Sequence, residues 1–216
     1  MKKHISNSLF IILLMLLGCN NSSEGDSIKD SNVKTYQEEV KDNSDNKNDL
    51  TSLEQGLNFA MQTQKVLAEN LINEINTKGT VHALNFCSAK AYTLTDSMAL
   101  ALNVRIKRVS DKPRNPNNKA NKQEAAYITK SKEFLAKGEN IKPEMSETNG
   151  KMVGYYPITT NQVCMQCHGN RDTEVLSETL LQIENLYPND KGIDYKINEL
   201  RGIWVVEMNK VRHTPY

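Results

Sequence analysis

The sequence predicts an α+β domain held behind a leader and a polar stretch. Three observations predict it. Apolar residues recur at helical spacing from Leu53 to Ile75. Val104 to Val109 alternates apolar with basic residues, and Gly202 to Met208 is a near-continuous apolar run, both of them strand patterns. Neither period is present before Thr51, and 216 residues fit one domain plus appendages.

The leader is residues 1–19. Lys2, Lys3 and His4 form a basic head, and Leu9 to Leu17 is an apolar run too short to span a bilayer comfortably. It ends in Leu16-Leu17-Gly18-Cys19, which resembles the lipobox of bacterial lipoproteins. That resemblance implies lipidation at Cys19 and a membrane-held chain on the periplasmic side of the bacterial cell envelope. An ordinary cleaved signal and an uncleaved anchor are the alternatives. Residues 20–50 read as a tether. Between Asn20 and Asp49 the only sizeable apolar residues are Ile28, Val33, Tyr36 and Val40, too few to offset the entropy of ordering.

The domain is residues 51–216. Thr51-Ser52-Leu53-Glu54 has the capping-box pattern and opens a long amphipathic helix that Gly79 stops, with Gln64 its one polar interruption. A packing helix is the first reading, and a helix that forms a homodimer is the second. A second helix is expected from Val81 to Ala91, carrying His82 and Cys87, and a short third from Thr95 with Met98, Leu100 and Leu102. The strand Val104–Val109 follows, then a turn-rich loop from Ser110 to Asn118 with two prolines. Asn121 to Glu124 is another capping box, for a helix running to Ala136 and stopped at Gly138. Glu139 to Thr148 is charged and reads as irregular. Met152 to Ile158 reads as a strand, and Leu176 to Leu186 as a helix ended by Pro188. Asn189 to Gly192 is a turn, and Gly202 to Met208 a buried strand.

The chemistry sits in Cys164-Met165-Gln166-Cys167-His168. Two cysteines three apart, followed at once by histidine, are the attachment signature of a covalent c-type haem. The thiols add to the two vinyl groups on one porphyrin edge, and the histidine gives iron its proximal nitrogen. A redox CxxC, half of a zinc site and chance are the competing readings. The first does not require the trailing histidine, and the second wants another Cys/His pair that the chain lacks. One such motif means one haem c. A formal net charge of +1 gives no nucleic-acid footprint. Of four cysteines, Cys19 is assigned to lipid and Cys164 and Cys167 to haem, which leaves Cys87 over.

Three blocks then match a family, in order. They are Asn85-Phe86-Cys87-Ser88; Arg105 through Arg108-Val109-Ser110 with Arg114-Asn115-Pro116 and Asn118; and Tyr156-Pro157-Ile158 ahead of the cysteine–histidine motif and Gly169. From Thr51 to Met208 the chain resembles the single c-type haem sensory domain with a PAS-like fold, long classed as a domain of unknown function. The resemblance implies a small antiparallel sheet packed with helices around one covalent haem. It also implies an axial cysteine from the helical region, here Cys87, opposite His168. Read without the resemblance, Cys87 is first a buried packing thiol, and His82, Met98, Met145, Met152 or an open site are alternatives for the sixth position.

Arg105, Arg108 and Arg114 are candidates for the haem propionates, since a guanidinium meets a carboxylate at two points. A solvated face is the alternative. Tyr155, Tyr156 and Trp204 read as core or pocket wall. The expected function is a membrane-tethered sensor of redox state or a diatomic gas, read out by a protein partner. The alternative is an electron-transfer cytochrome lipoprotein. No distal acid–base pair is legible, so an enzyme such as a peroxidase is not expected.

Overall fold

The computed structural model describes residues 50–211. The leader, Cys19 and residues 20–49 of the tether lie outside the described residues. Among those described, four helices and one four-stranded sheet form an α+β domain.

Helix α1 (Ser52–Leu102) begins on the predicted capping box. The Thr51 hydroxyl accepts from the Glu54 amide at 3.3 Å, and the Glu54 carboxylate accepts from the Thr51 amide at 2.8 Å. At Gly79 the backbone leaves the helical region, with φ 81° and ψ 173°, a conformation that residues with a Cβ avoid. The expected stop is therefore a break between two helical segments, 52–78 and 80–102. An added Cβ at Gly79 meets nothing within 4 Å, so backbone conformation alone selects glycine. Gly79→Ala is expected to destabilise the domain by about 1–3 kcal/mol in urea unfolding, with no change in packing.

The second segment corrects one expectation. Residues 80–102 run as one helix, without the boundary read between Ala91 and Thr95. Thr95 and Ser97 donate their hydroxyls to the carbonyls of Ala91 and Thr93, both at 2.8 Å. Residues that favour turns are thereby absorbed into the helix. Asn103, at φ 53°, closes it in the left-handed region.

The sheet has the order β1-β4-β3-β2, antiparallel throughout, with β1 (Arg105–Val109), β2 (Glu144–Thr148), β3 (Lys151–Thr159) and β4 (Leu200–Met208). Strand β2 corrects a second expectation, since Glu139 to Thr148 reads as irregular. Met145 is its only apolar residue, so the period-2 signal is absent, and pairing to β3 makes it an edge strand. The two-residue turn Asn149-Gly150, both at positive φ, joins β2 to β3. Such Asn-Gly pairs favour hairpins.

Both faces of the sheet are covered. On one, Ile106, Tyr156, Trp204, Val206 and Met208 pack with Ala60, Leu57 and Leu67 of α1. Gln64 is explained here, since its side-chain oxygen accepts from Trp204 Nε1 at 3.1 Å. On the other face Val109, Ile203, Val205 and Tyr155 pack with Tyr127 and Ile128 of α2 (Lys122–Ala136), whose capping box is formed as expected. Trp204 and Tyr156 are buried core residues, and Tyr155 is a half-buried one. Helix α3 (Gln162–His168) follows β3, and α4 (Ser177–Leu186) packs on the 80–102 segment, where the Thr80 and Thr179 hydroxyls meet at 2.6 Å. Strand β1 leaves, β3 leaves and β4 enters at the same end of the sheet, through the pairs Val109↔Ile203 and Thr159↔Leu200. That end holds the site.

Candidate functional site

Helix α3 is two turns long and carries the whole motif. Asn161 caps it, its side-chain oxygen accepting from the Cys164 amide at 3.3 Å, and Met165 anchors it in the core at 2 % exposure. A three-residue spacing places Cys164 and Cys167 about one turn apart on one side of the helix. Cys167 packs against Leu84, Val175 and Ile183. Burial pushes its thiol up to about 11, so it is protonated at neutral pH. The described cysteines form no disulfide.

His168 ends α3 and is held from one side by residues 190–195. Its Nδ1 lies 2.5 Å from the Gly192 carbonyl. A carbonyl only accepts, so Nδ1 carries the proton and the lone pair resides on Nε2. Arg201 Nε, at 3.4 Å from the same nitrogen, is then a neighbour rather than a donor. Burial, with the Arg114 and Arg201 charges, holds the imidazole well below its ordinary range, which keeps it neutral at pH 7. A neutral imidazole with Nδ1–H bound to a carbonyl is the arrangement found in metal-ligating histidines.

A closed ring of hydrogen bonds fixes this geometry. Arg114 Nη2 reaches the Cys167 carbonyl at 2.6 Å, and Asp190 Oδ2 and the Gly192 carbonyl each at 3.1 Å. Asp190 Oδ1 accepts from the Gly192 amide at 2.7 Å. The Tyr195 amide donates to the His168 carbonyl at 2.9 Å, and the Asp194 amide to that of Gly169 at 3.1 Å. The Tyr195 ring stands edge-on to the imidazole, with Arg201 packed over it.

Cys87 enters from the 80–102 segment. Burial raises its pKa, opposed by the charges of Arg108 and Arg114. Cys167 packs against Leu84, three residues before Cys87 on the same helical segment. Arg108 lies over the Trp204 ring with its Cζ 5.3 Å from the centroid. Its own pKa is lowered by burial and raised by Cys87.

The structure thus brings Cys87, Cys164, Cys167, His168, Arg108 and Arg114 together. It does not bring Arg105, whose side chain is 83 % exposed on the other face of β1 and pairs with Glu207 at 3.5 Å. His82 is exposed beside the Gly79 break and contacts Glu74 at 2.7 Å. Met145 and Met152 belong to the core between sheet and α1. Asp190, Gly192, Tyr195 and Arg201 were not legible as site residues. The one signal was a charged residue, Arg201, directly ahead of the apolar run from Gly202 to Val206.

The donor set fits a haem better than a bare ion. Among the described residues no group of three or more His, Cys, Asp or Glu could hold a metal ion. Two thiols one turn apart and one neutral imidazole suit a macrocycle that brings its own iron. Arg114 Nε is buried with no hydrogen-bond partner, an unspent donor beside the motif.

No curated protein matches the chain. Among solved structures, the crystal structure of the cyanobacterial heme-protein Tll0287 superposes with a TM-score of 0.54 at 17 % sequence identity, covering 73 % of this chain and 97 % of that one. The α+β fold is therefore shared. The model of the Tll0287-like family matches residues 29–209. The chain belongs to the Tll0287-like family.

Proposed function

We propose that this chain carries one c-type haem, joined through Cys164 and Cys167 with His168 as proximal ligand and Cys87 as the sixth. We propose further that it works as a membrane-tethered periplasmic sensor of redox state or a diatomic gas. One observation carries the reading: a neutral imidazole, its Nδ1–H pinned to the Gly192 carbonyl, directly follows the second of two thiols on one short helix. The heme-protein Tll0287, which has the same fold, supports it. Bound haem supplies a one-electron couple and an iron whose sixth position exchanges ligands.

The protein's own residues supply the rest. Gly192 fixes which nitrogen of His168 is the donor. Arg108 and Arg114 favour an anionic Cys87 sulfur, while burial favours its protonated form. Burial outweighs the two arginines, so the thiol form is favoured until an iron takes the sulfur. Cys87 rides on a helical segment that Gly79 separates from the sheet-packed one, so a change at sulfur has a mechanical outlet.

The second reading is an electron-transfer cytochrome, since the same one-electron couple serves a shuttle as well as a sensor. Two measurements separate the readings. Ferric electron paramagnetic resonance of wild type and Cys87→Ser should show a low-spin thiolate signal only in the wild type, and an unchanged signal in the variant sinks the Cys87 assignment. Carbon monoxide added after reduction should alter the absorption spectrum of a sensor. Fast electron exchange without carbon monoxide binding supports the cytochrome.

A further inference from the structure

We propose that Asp190 is a positioning residue for His168, and that the loop 190–195 presets the imidazole before any haem is attached. The inference rests on His168 being the iron ligand. Asp190 touches neither His168 nor the cysteines, and acts through its neighbours. One carboxylate oxygen accepts from the Gly192 amide at 2.7 Å, and the other from Arg114 Nη2 at 3.1 Å. Both act on one acceptor, the Gly192 carbonyl, which takes Arg114 Nη2 at 3.1 Å and His168 Nδ1 at 2.5 Å.

Burial makes the arrangement selective. The Asp190 side chain is 9 % exposed and that of Arg114 10 %, so solvent does not readily replace either partner. The same guanidinium holds the Cys167 carbonyl at 2.6 Å, tying the strap to the last turn of α3. The Lys191 amide, bonded to the Pro113 carbonyl at 3.2 Å, fixes the strap's outer side to the loop that carries Arg114. Every bond in this ring is made by the polypeptide alone. The histidine tautomer is thereby chosen by the fold and not by the metal. A stronger Nδ1–H···O bond also makes the imidazole a richer donor through Nε2.

Asp190→Asn tests this, because it keeps the shape and turns one of two acceptors into a donor. Whichever way the amide lies, its NH2 group faces either the Arg114 guanidinium or the Gly192 N–H. The experiment is nitrogen-15 NMR of the imidazoles in the full chain made without haem, so its outcome is independent of attachment. Wild type should show His168 as a single Nδ1–H tautomer with a slowly exchanging ring proton. Asp190→Asn should show mixed tautomers and ring-proton exchange at least ~10-fold faster. Asp190→Glu should recover part of the protection. Should the single variant fail to fold, Asp190→Asn with Arg114→Gln removes both buried charges and is read the same way. A protected Nδ1–H in either folded variant overturns the proposal. Colourless matured wild-type protein would instead overturn the haem reading and leave the preset tautomer measurable.

Discussion

Arg114→Met is expected to destabilise the domain by about 3–5 kcal/mol, the largest effect of any single charge removal at the site. Three acceptors depend on one guanidinium nitrogen: the Cys167 carbonyl, Asp190 and the Gly192 carbonyl. Methionine fills similar volume but leaves the buried Asp190 carboxylate with the Gly192 amide as its remaining hydrogen-bond donor and the Arg201 charge nearby. The Cys167 carbonyl loses its contact as well. Urea unfolding followed by fluorescence of Trp204, the single tryptophan, measures the change. Arg114→Lys should recover only part of it, because one ammonium cannot span three acceptors on two segments. A loss below about 1 kcal/mol would mean that the bridge behaves as a solvated surface pair.

The second large effect concerns the sulfurs. With both Cys164 and Cys167 changed to alanine, protein matured where haem attachment operates should carry no pigment through a denaturing gel. Either single variant should keep one thioether at most. Retained covalent haem in the double variant would refute the attachment site. In haem-free protein the Cys167 thiol has a second, pH-dependent signature. Its folded value of about 11 lies above the ordinary thiol, so the protonated form is the one that folding favours. Stability from this group is present below the ordinary thiol pKa, and is lost as pH rises through about 11. At pH 8 only about one part in a thousand is thiolate. Alkylation of Cys167, followed by peptide mass mapping, should be roughly two orders of magnitude slower than at an exposed cysteine. It should accelerate about tenfold per pH unit towards pH 11.

What could be read in the sequence was what is local. Both capping boxes are pairs three residues apart, the Gly79 break follows from one residue's backbone, and the attachment motif is five consecutive residues. Strand β2 escaped because its stability comes from β3 and not from its own pattern, although Asn149-Gly150 marked the hairpin. The unbroken 80–102 helix escaped because hydroxyl back-bonding is a property of the folded helix. The ring around His168 joins residues 24 and 76 positions apart, which no local period encodes. The three arginines show a finer limit. Arg105 and Arg108 are an odd number of residues apart in one strand, so they occupy opposite faces. The alternation was visible in advance, and grouping the two overlooked it.

The placement of β4 has a consequence for biosynthesis. It is the last described strand in the chain, yet it lies between β1 and β3. While the nascent chain is shorter than about 200 residues, β2 and β3 can zip together as a hairpin, but β1 has no neighbour to join. Its partners are a century of residues away, as in Arg105↔Glu207, and such distant closures are slow. The cysteine–histidine segment is thus synthesised and waiting before the central slot of the sheet is filled. A chain cut short ahead of Leu200 would lack the strand that joins β1 to β3 within the sheet, leaving α1 as their common support.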